Sequence, residues 1–501
     1  MAADEFDYIV VGGGGSGAVL ARKLAEGSTA SVALLEAGPN DAGLAEVADF
    51  RRYHEVAFES PLSHRIRIQP PARGNNRGVY PIGRVLGGCT SHNSCIWFRP
   101  PESDYAGWEA LGATGWGPGE ARRCFDEIEE RVRVETVSPD SRAHRDLLQA
   151  AREIGLPDID FSRPFDDGVG HYRLSKSGHL RQSASATYLH PLVALPRNLT
   201  VLTETAVLRL VFGADGGAAG VETPRGVLRA AREVVLCAGA FGSPKLLLLS
   251  GIGPAQALQD LGIAVRQDLP GVGARLLDHP ACAVNVSAQR RPDKVEPWNY
   301  AGVLFTRVQR DAVWPDVEMQ IGPELYEQET GPAGYPSAPA GFCAYFTVNR
   351  ALSEGRVRLT SPDPATDVAI DPAFFGDPEG YDLSVMIGAV RVARRLFAAP
   401  SLRSWVGGEL APGSACDSDE AIGDFLKDTV TTGYHPAGTC RMGPVGDKGS
   451  VVGPDLRVRG VPNLRVADAS VFPAMVSVNI APACMMVGLR GAQLLLGDGR
   501  P

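Results

Sequence analysis

Short hydrophobic runs in this chain end at glycine-rich turns, and helix-forming segments follow them. The first run, residues 8–11, stops at four consecutive glycines. A segment of small residues comes next, and a second hydrophobic run at residues 32–35 ends on Glu36. A run, a turn, a helix and a second run predict a strand–helix–strand unit of a parallel sheet.

Two later segments repeat this arrangement. The hydrophobic run at residues 233–237 continues into a glycine turn, and a helix is predicted from Ser243 onward. Pro244 stands at the expected first helical position and Gly251 at the helix end. Near the C-terminus, residues 464–468 precede a turn and an apolar helix at residues 481–496. Three such units predict one parallel sheet assembled from distant segments.

Alternation of hydrophobic and polar residues predicts antiparallel strands elsewhere. Residues 199–211 alternate in part, as a half-buried antiparallel strand does. The region 286–425 combines a period of two, typical of an antiparallel sheet, with helical patterns, and is predicted as an inserted α+β domain. Its segments are residues 317–321, 342–348 and 357–360 for strands, and 376–398 and 418–428 for helices.

The composition is that of a globular protein with more than one core. The 501 residues are 44% hydrophobic and carry a net charge of −9 without a basic run. Neither nucleic acid nor an anionic membrane is therefore expected as a partner. Nine scattered cysteines without CxxC spacing indicate reduced thiols and no metal site. An acidic N-terminus and the absence of a long apolar run predict a cytoplasmic location.

The first unit also carries a nucleotide-binding pattern. The spacing Gly12-x-Gly14-x-x-Gly17 gives a tight turn, a close approach to a pyrophosphate, and close packing of helix on strand. The helix N-terminus beyond Gly14 offers unpaired N–H groups to phosphates. Glu36 lies about 20 residues on, where an acid accepts a hydrogen bond from a ribose hydroxyl. The pattern predicts a dinucleotide without saying which one.

Four further motifs carry a resemblance to the glucose–methanol–choline (GMC) oxidoreductase family, whose members depend on FAD. These motifs are residues 83–88 (GRVLGG), 239–253 (GAFGSPKLLLLSGIG), 434–443 (YHPAGTCRMG) and 465–468 (RVAD). They occur in the family's order over nearly the whole chain. The resemblance implies an α/β fold with a Rossmann-like FAD-binding domain and an inserted α+β substrate domain. The predicted FAD-binding segments are 1–45, 78–110, 195–285 and 430–501, and the substrate-binding segments are 46–77, 111–194 and 286–429.

The resemblance also implies the residues that contact FAD. Asp468 matches an acid that contacts the pyrophosphate or ribityl chain, Val207 approaches the adenine through its backbone, and Asp278-His279 matches a family pair. Arg275, which lies beside that pair, departs from the family's pattern. A structural role is therefore favoured for Asp278 and His279. The predicted cofactor-binding residues are Gly12, Gly14, Ser16, Gly17, Glu36, Gly83, Arg84, Gly87, Gly88, His92, Asn93, Val207, Ala238, Gly239, Asp468 and Ala469.

His92 distinguishes this chain from most members of the family. Residues 86–98 (LGGCTSHNSCIWF) resemble the choline-oxidising members, in which the matching histidine is bonded to the flavin. Such a bond needs a nucleophilic imidazole beside the dimethylbenzene ring. The resemblance thus implies FAD that is covalently attached through His92. The alternative is a histidine that hydrogen-bonds in the turn or contacts FAD without a bond.

Three residues are predicted to act on the substrate. The resemblance places His435 in front of the flavin ring, and a neutral imidazole suits removal of a hydroxyl proton. Asn479 matches the second catalytic position, where its amide can hydrogen-bond the substrate oxygen but cannot take a proton at neutral pH. Ser94 matches a hydroxyl that faces the substrate. An alcohol is therefore expected to be oxidised at the flavin.

The substrate pocket is predicted from Trp298, Tyr300, Glu318 and Gln320. Alignment with the choline-oxidising members puts Tyr300 where they have a cation-binding glutamate, so choline itself is disfavoured. Glu318 is expected to be a solvated strand residue. Because Glu318 and Gln320 share one strand face, a hydroxyl-rich or amine-bearing alcohol remains open beside benzylic and furanic ones.

Several functions remain open at this point. The leading one is an alcohol oxidase that passes electrons to molecular oxygen and releases hydrogen peroxide. The alternatives are a dehydrogenase with another acceptor, choline oxidase itself, and a redox-silent enzyme like the hydroxynitrile lyases. An NAD-dependent reductase explains only residues 7–36, and a non-catalytic flavin protein leaves His435 and Asn479 without a role. The oligomeric state has no signature in the sequence.

Overall fold

The computed structural model describes residues 5–69, 78–138, 140–293 and 302–498. Within these ranges two large sheets form, each with helices packed on it. The α-helices are α1 Gly15–Gly27, α2 Ala45–Ala48, α3 Tyr53–Phe58, α4 Glu102–Ala110, α5 Pro118–Glu129, α6 Arg142–Glu153, α7 Gly239–Leu249, α8 Ala255–Asp260, α9 Tyr381–Phe397, α10 Asp419–Thr429 and α11 Ala481–Asp498. None of them is long and apolar enough to cross a membrane.

The strands are short except in the two large sheets. In chain order they are β1 Glu5–Val11, β2 Val32–Leu35, β3 Ser63–Arg67, β4 Val79–Gly83, β5 Val134–Val137, β6 Gly168–Gly170, β7 Tyr172–Ser177, β8 Leu180–Arg181, β9 Leu199–Leu202, β10 Arg209–Phe212, β11 Ala218–Thr223, β12 Gly226–Leu236, β13 Ile252–Gly253, β14 Gln267–Asp268, β15 Pro280–Ala288, β16 Gly302–Thr306, β17 Val317–Gly322, β18 Gly341–Val348, β19 Arg356–Arg358, β20 Ala369–Asp371, β21 Val406–Ala411, β22 Thr431–Thr432 and β23 Leu464–Val466.

The first large sheet has the order β10-β11-β12-β1-β2-β9, with β23 beside β12. Strands β1, β2, β9, β12 and β23 run parallel, whereas β10 and β11 extend the sheet in antiparallel fashion. Helices α1 and α11 pack against each other on this sheet. The prediction that three distant strand–turn–helix units build one parallel sheet is confirmed.

The prediction of one antiparallel strand at residues 199–211 is wrong. The segment forms two strands, of which β9 pairs in parallel with β2 and β10 pairs with β11. Between them the chain bends at Glu204, which has a left-handed φ of 51°. The Glu204 and Thr205 N–H groups donate to Gly38 O and Glu36 O, so the bend is pinned to the end of β2.

Helix α7 begins five residues before the expected first helical position, so Pro244 lies inside it. A proline in a helix has no N–H for the carbonyl four residues earlier, which here belongs to Ala240. That carbonyl accepts a hydrogen bond from Thr439 Oγ1 at 2.6 Å instead. Gly251, with φ of 83°, follows the helix end as predicted.

The second large sheet is antiparallel, with the order β21-β15-β18-β17-β16-β6 and β22 beside β15. The predicted alternation in β17 and β18 is present, but every residue of both strands is buried. Met319 and its same-face neighbours pack against α9, whereas Glu318 and Gln320 point to the opposite face. Residues 357–360 were expected in this sheet, but β19 pairs with β20 in a separate small ribbon.

The described structure divides the chain differently from the predicted domains at two places. Helix α5 packs in the core of the first sheet through Phe125 and Ile128, although the prediction assigns it to the substrate domain. Strand β15 belongs to the second sheet from Pro280 onward. The two sheets meet where Phe305 of β16 packs on Phe98, with ring centroids 5.7 Å apart.

Replacement of Thr439 tests how the proline in α7 is tolerated. Thr439→Val keeps the side-chain shape and removes the only hydrogen bond offered to the Ala240 carbonyl by a side chain of the described structure. A buried acceptor left without a donor costs about 1–3 kcal/mol of unfolding free energy. Thr439→Ser keeps the hydroxyl and should lose clearly less. Chemical denaturation of the FAD-loaded protein measures both, and equal losses would contradict this account.

Candidate active site

A cavity of about 1180 Å³ lies between the glycine turn after β1, the segment 83–96, the start of α7, and strands β17 and β18. Gly17 and Gly87 do not line it, and Trp298 and Tyr300 lie outside the described residues. The predicted residues that line it are Gly12, Gly14, Ser16, Glu36, Gly83, Arg84, Gly88, His92, Asn93, Ser94, Val207, Ala238, Gly239, Glu318, Gln320, His435, Asp468, Ala469 and Asn479.

The three fingerprint glycines have separate physical roles. Gly12 has φ of 104°, and a Cβ there would lie 2.4 Å from Cys237 O. A Cβ on Gly17 would lie 1.9 Å from Gly12 O, so Gly17 allows α1 to pack on β1. A Cβ on Gly14 would lie 3.8 Å from Gly88 Cα, an ordinary contact, and no side chain caps the first turn of α1. The N–H groups of that turn therefore remain available to a phosphate.

The Glu36 carboxylate is buried at the end of β2. It accepts hydrogen bonds from the N–H groups of Gly13 at 2.9 Å and Gly38 at 2.8 Å. Burial raises its pKa above the ordinary range for a glutamate. Because a carboxylate has about four lone-pair sites, this group can still accept hydrogen bonds from ribose hydroxyls.

Asp468 organises the backbone on the other side of the cavity. One carboxylate oxygen accepts from the Gly239 N–H at 2.8 Å and from Ser243 Oγ, and the other accepts from Ser470 N–H. The group is buried, and burial raises its pKa. Asp468 thereby fixes the first turn of α7 against the segment after β23.

The turn that holds His92 is fixed from below by Arg181. This buried guanidinium donates to Val47 O at 3.1 Å and to Asn93 Oδ1 at 3.0 Å. Asn93 Oδ1 also accepts from the Cys95 N–H, so this predicted cofactor residue fixes the turn itself. A Cβ on Gly88 would lie 2.8 Å from Gly14 Cα, which brings the His92 turn directly against the fingerprint loop.

His92 lines the cavity with a neutral imidazole. Its Nδ1 is buried and has no hydrogen-bond partner in the part of the chain that the structure describes. Burial and the positive charge of Arg181 lower the pKa of His92 to about 3. Ser94, two residues on, is half-buried on the same wall.

His435 stands in a hydrogen-bonded group of three side chains. Its Nδ1 lies 2.8 Å from Nδ1 of His279, and its Nε2 lies 3.2 Å from Asn479 Nδ2. His279 Nε2 lies 2.9 Å from the carbonyl oxygen of Val476. Burial, with the neighbouring His279, lowers the pKa of His435 well below its ordinary value, and burial lowers that of His279 to about 4.

These contacts define which nitrogen of each histidine carries the proton. A carbonyl oxygen only accepts, so His279 Nε2 must donate to Val476 O, and neutral His279 then accepts at Nδ1. His435 must therefore donate from Nδ1. This leaves His435 Nε2 with its lone pair beside the amide of Asn479. The Asn479 Oδ1 atom is buried and has no hydrogen-bond partner among the described residues.

Asp278 fixes the backbone of both histidines. Its Oδ1 accepts from the His279 and His435 N–H groups, and its Oδ2 accepts from the hydroxyls of Tyr80 and Thr432. Burial raises the pKa of Asp278 to about 6 despite these four hydrogen bonds.

Sequence reasoning gave Asp278 and His279 only a structural role and did not find Arg181. The adjacent Asp278 and His279 were a sequence signal for their role in the site. Arg181 has no such signal, because its contacts come from loops distant in the chain.

Glu318 is not a solvated residue as expected. Its side chain is only 4% exposed and lines the cavity beside Gln320, whose Nε2 donates to it at 3.4 Å. The cause is the position of β17 in the middle of a sheet whose second face is closed by the first domain. Burial raises the pKa of Glu318 to about 7.

The uncapped helix, the buried Glu36 and the unpartnered His92 and Asn479 atoms fit a dinucleotide cofactor. Fold and site therefore define a flavin-dependent oxidoreductase of the Rossmann-like class. Family models described as GMC oxidoreductase match residues 6–281 and 351–488. The chain belongs to the GMC oxidoreductase family and is an FAD-dependent enzyme that acts on CH–OH donors.

Individual relatives cover almost the full chain. Choline oxidase from Arthrobacter globiformis is 40% identical, over 98% of this chain and 94% of its own length. Oxygen-dependent choline dehydrogenase from Rhizobium etli is 32% identical, over 98% of this chain and 95% of its own length. The crystal structure of pyridoxine 4-oxidase from Mesorbium loti superposes with a TM-score of 0.87 at 25% identity. The superposition covers 97% of this chain and 98% of that chain.

Proposed function

We propose that this protein oxidises an alcohol to the aldehyde or ketone, with His435 as the general base and molecular oxygen as the electron acceptor. Hydrogen peroxide is then the second product. The observation that carries the proposal is the series of contacts from Val476 O through His279 to His435, which leaves the His435 Nε2 lone pair beside Asn479 in the cavity. A neutral imidazole in that state accepts the hydroxyl proton.

The surroundings of His435 support this proton transfer. The substrate hydroxyl donates to Nε2, while the Asn479 amide donates to the substrate oxygen and holds it beside the base. Once protonated, His435 keeps its Nδ1–H bond to His279. The Asp278 carboxylate accepts from the backbone N–H of His435 and so holds the residue in place during the transfer.

The groove on the first sheet suits FAD. The first turn of α1 would bind the pyrophosphate, Glu36 the ribose of the adenosine, and the Val207 backbone the adenine. FAD bound there would supply the acceptor for the hydride of the alcohol carbon and the route by which the electrons reach oxygen. His92 would hold the flavin ring covalently through its imidazole, which lines the cavity and is neutral because burial and Arg181 lower its pKa. Ser94 would face the substrate from the same wall.

Oxygen is proposed as the acceptor because the similar proteins include an oxidase and an oxygen-dependent dehydrogenase. Choline is a second candidate substrate, favoured by the 40% identity to choline oxidase. An oxygen-electrode screen over choline, amino, benzylic, furanic and sugar alcohols tests both points. One peroxide per aldehyde supports an oxidase. Flavin that bleaches without oxygen uptake would indicate a dehydrogenase, and flavin that no alcohol bleaches would indicate a redox-silent member.

His435→Ala should slow reduction of the flavin by alcohol at least about a hundredfold, because a general base contributes that much or more. Stopped-flow absorbance under anaerobic conditions measures the rate, and His64→Ala, which removes another cavity-lining histidine, serves as the control. Because burial lowers the pKa of His435, its base form is already complete at neutral pH. The wild-type rate should therefore fall only on acidification below about pH 6.5, the ordinary imidazole value. A near-normal rate in His435→Ala would exclude this base.

His279 is a positioning residue whose replacement separates tautomer control from packing. His279→Leu removes the acceptor for His435 Nδ1–H, so both tautomers form and flavin reduction should slow about tenfold or more. His279→Gln retains an amide oxygen for His435 and an amide N–H for Val476 O, and should recover most of the rate. The rate of flavin reduction is measured over pH in each variant, with the substrate at the same multiple of its KM. This distinguishes tautomer control from packing. Equal losses in both variants would contradict the tautomer role.

The bond between His92 and the flavin predicts that yellow fluorescence stays with the polypeptide on a denaturing gel. His92→Ala should release the flavin on denaturation while the folded protein still binds FAD through the first sheet. Mass spectrometry of the intact chain checks the same point, since the attached cofactor adds its mass. Complete separation of flavin from the wild-type chain would show that His92 only contacts FAD.

A further inference from the structure

The wall of the cavity formed by the second sheet is acidic. It consists of β17, the loop after it, and β18, and its ionisable side chains other than tyrosines are Glu318, Glu324 and Glu327. No Lys, Arg or His from this wall lines the cavity among the described residues. The bases on the cavity belong to other elements, such as Lys245 of α7.

Glu318 is the buried member of this group. It is 4% exposed, and its neighbours across β16 and β18 are Phe305 and Thr347. Its one hydrogen bond within the described structure comes from Gln320 at 3.4 Å, and no ion pair reaches it there. A buried carboxylate without a cation is costly unless a ligand completes it.

Gln320 completes the recognition surface. A carboxylate only accepts hydrogen bonds, so Gln320 must present its amide N–H₂ to Glu318 and turns its Oε1 away from it. No donor to that Oε1 lies among the described residues. Glu318 and Gln320 are two residues apart on one strand and share a face. Two acceptors on the cavity wall, one of them a carboxylate, match a cationic group that carries N–H donors.

Aromatic side chains lie beside this position. Tyr345 pairs with Gln320 across the sheet, and its ring centroid lies 4.8 Å from that of Tyr326. Both tyrosines line the cavity. Their ring faces attract a cation without adding a competing positive charge. A desolvated site that holds a carboxylate and aromatic rings selects against an anionic or purely apolar substrate end.

We propose that Glu318 and Gln320 bind the protonated amine of an amino alcohol whose hydroxyl is oxidised beside His435. This inference rests on the proposed function and names its substrate class. The ammonium N–H groups donate to Glu318 and to Gln320 Oε1. A quaternary ammonium has no N–H and leaves Gln320 Oε1 without a donor, and a neutral alcohol leaves the carboxylate unpaired. The amine must therefore be primary or secondary.

Matched substrates test the charge and the N–H groups separately. Linear amino alcohols from ethanolamine to aminohexanol are compared with alkanols that have methyl in place of ammonium, and with their trimethylammonium counterparts. In the wild-type holoenzyme, kcat/KM for the best amino alcohol should exceed that of both counterparts by about tenfold or more, as expected for hydrogen bonds to a charged group. Preference for the trimethylammonium compounds would overturn the N–H recognition.

Two variants locate the effect. Glu318→Gln keeps the shape and removes the charge, and should abolish the preference, so that kcat/KM for the amino alcohol falls to that of the matched alkanol in the same variant. Glu327→Gln removes a charge from the same wall at a half-exposed position and should retain the preference. An unchanged preference in Glu318→Gln, or an equal loss in both variants, would overturn the assignment.

A binding measurement separates this site from the reaction. Butylammonium has no hydroxyl and cannot be oxidised, so calorimetry with the holoenzyme reports the amine site alone. It should bind the wild-type protein about tenfold more tightly than Glu318→Gln. If that difference holds while no alcohol reduces the flavin, the proposed function fails and the amine site stands. If alcohols reduce the flavin and butylammonium binds both proteins equally, the amine site is refuted and the function stands.

Discussion

The hydrogen bonds of Asp278 are the interaction on which the arrangement of the site depends. This one carboxylate binds the backbone of His279 and His435 and the hydroxyls of Tyr80 and Thr432, and so joins β4, the start of β15 and the strand before His435. Without it, four buried donors would lose their acceptor, and each buried donor left unpaired costs about 1–3 kcal/mol. The position of His435 is thus set by contacts between the β3–β4 ribbon and the second sheet, and not by its own loop.

Desolvation gives the cavity two chemically opposite ends. It lowers the pKa values of His435 and His279, which keeps both imidazoles neutral, and it raises the pKa of Glu318 to about 7. Both shifts have one cause, since burial disfavours whichever form of a group is charged. At the His435 end the result is an unprotonated base. At the Glu318 end the result is a carboxylate whose ionisation a bound cation would favour.

Local patterns carried most of the fold but only part of the site. The glycine spacing and the strand–turn–helix units could be predicted because turns, helix packing and strand burial depend on neighbouring residues. The contact between His279 and His435 joins residues far apart in the chain, so no local pattern encodes it. The burial of Glu318 follows from what covers its sheet face. The alternation shows that Glu318 and Met319 lie on opposite faces of β17. It does not show that both faces are buried, one against α9 and the other at the cavity.

The proposed base and the proposed amine site lie on different elements of this fold. His435 follows β22 at the edge of the second sheet and Asn479 lies just before α11, whereas Glu318 and Gln320 lie on the central strand β17. Exchanging a polar side chain on β17 leaves the hydrogen bonds of Asp278 intact, so substrate preference can change without disturbing the base. This separation agrees with a fold retained at a TM-score of 0.87 and 25% identity. Under the two proposals a substrate must reach from Glu318 to His435, so its length as well as its charge determines whether it reacts.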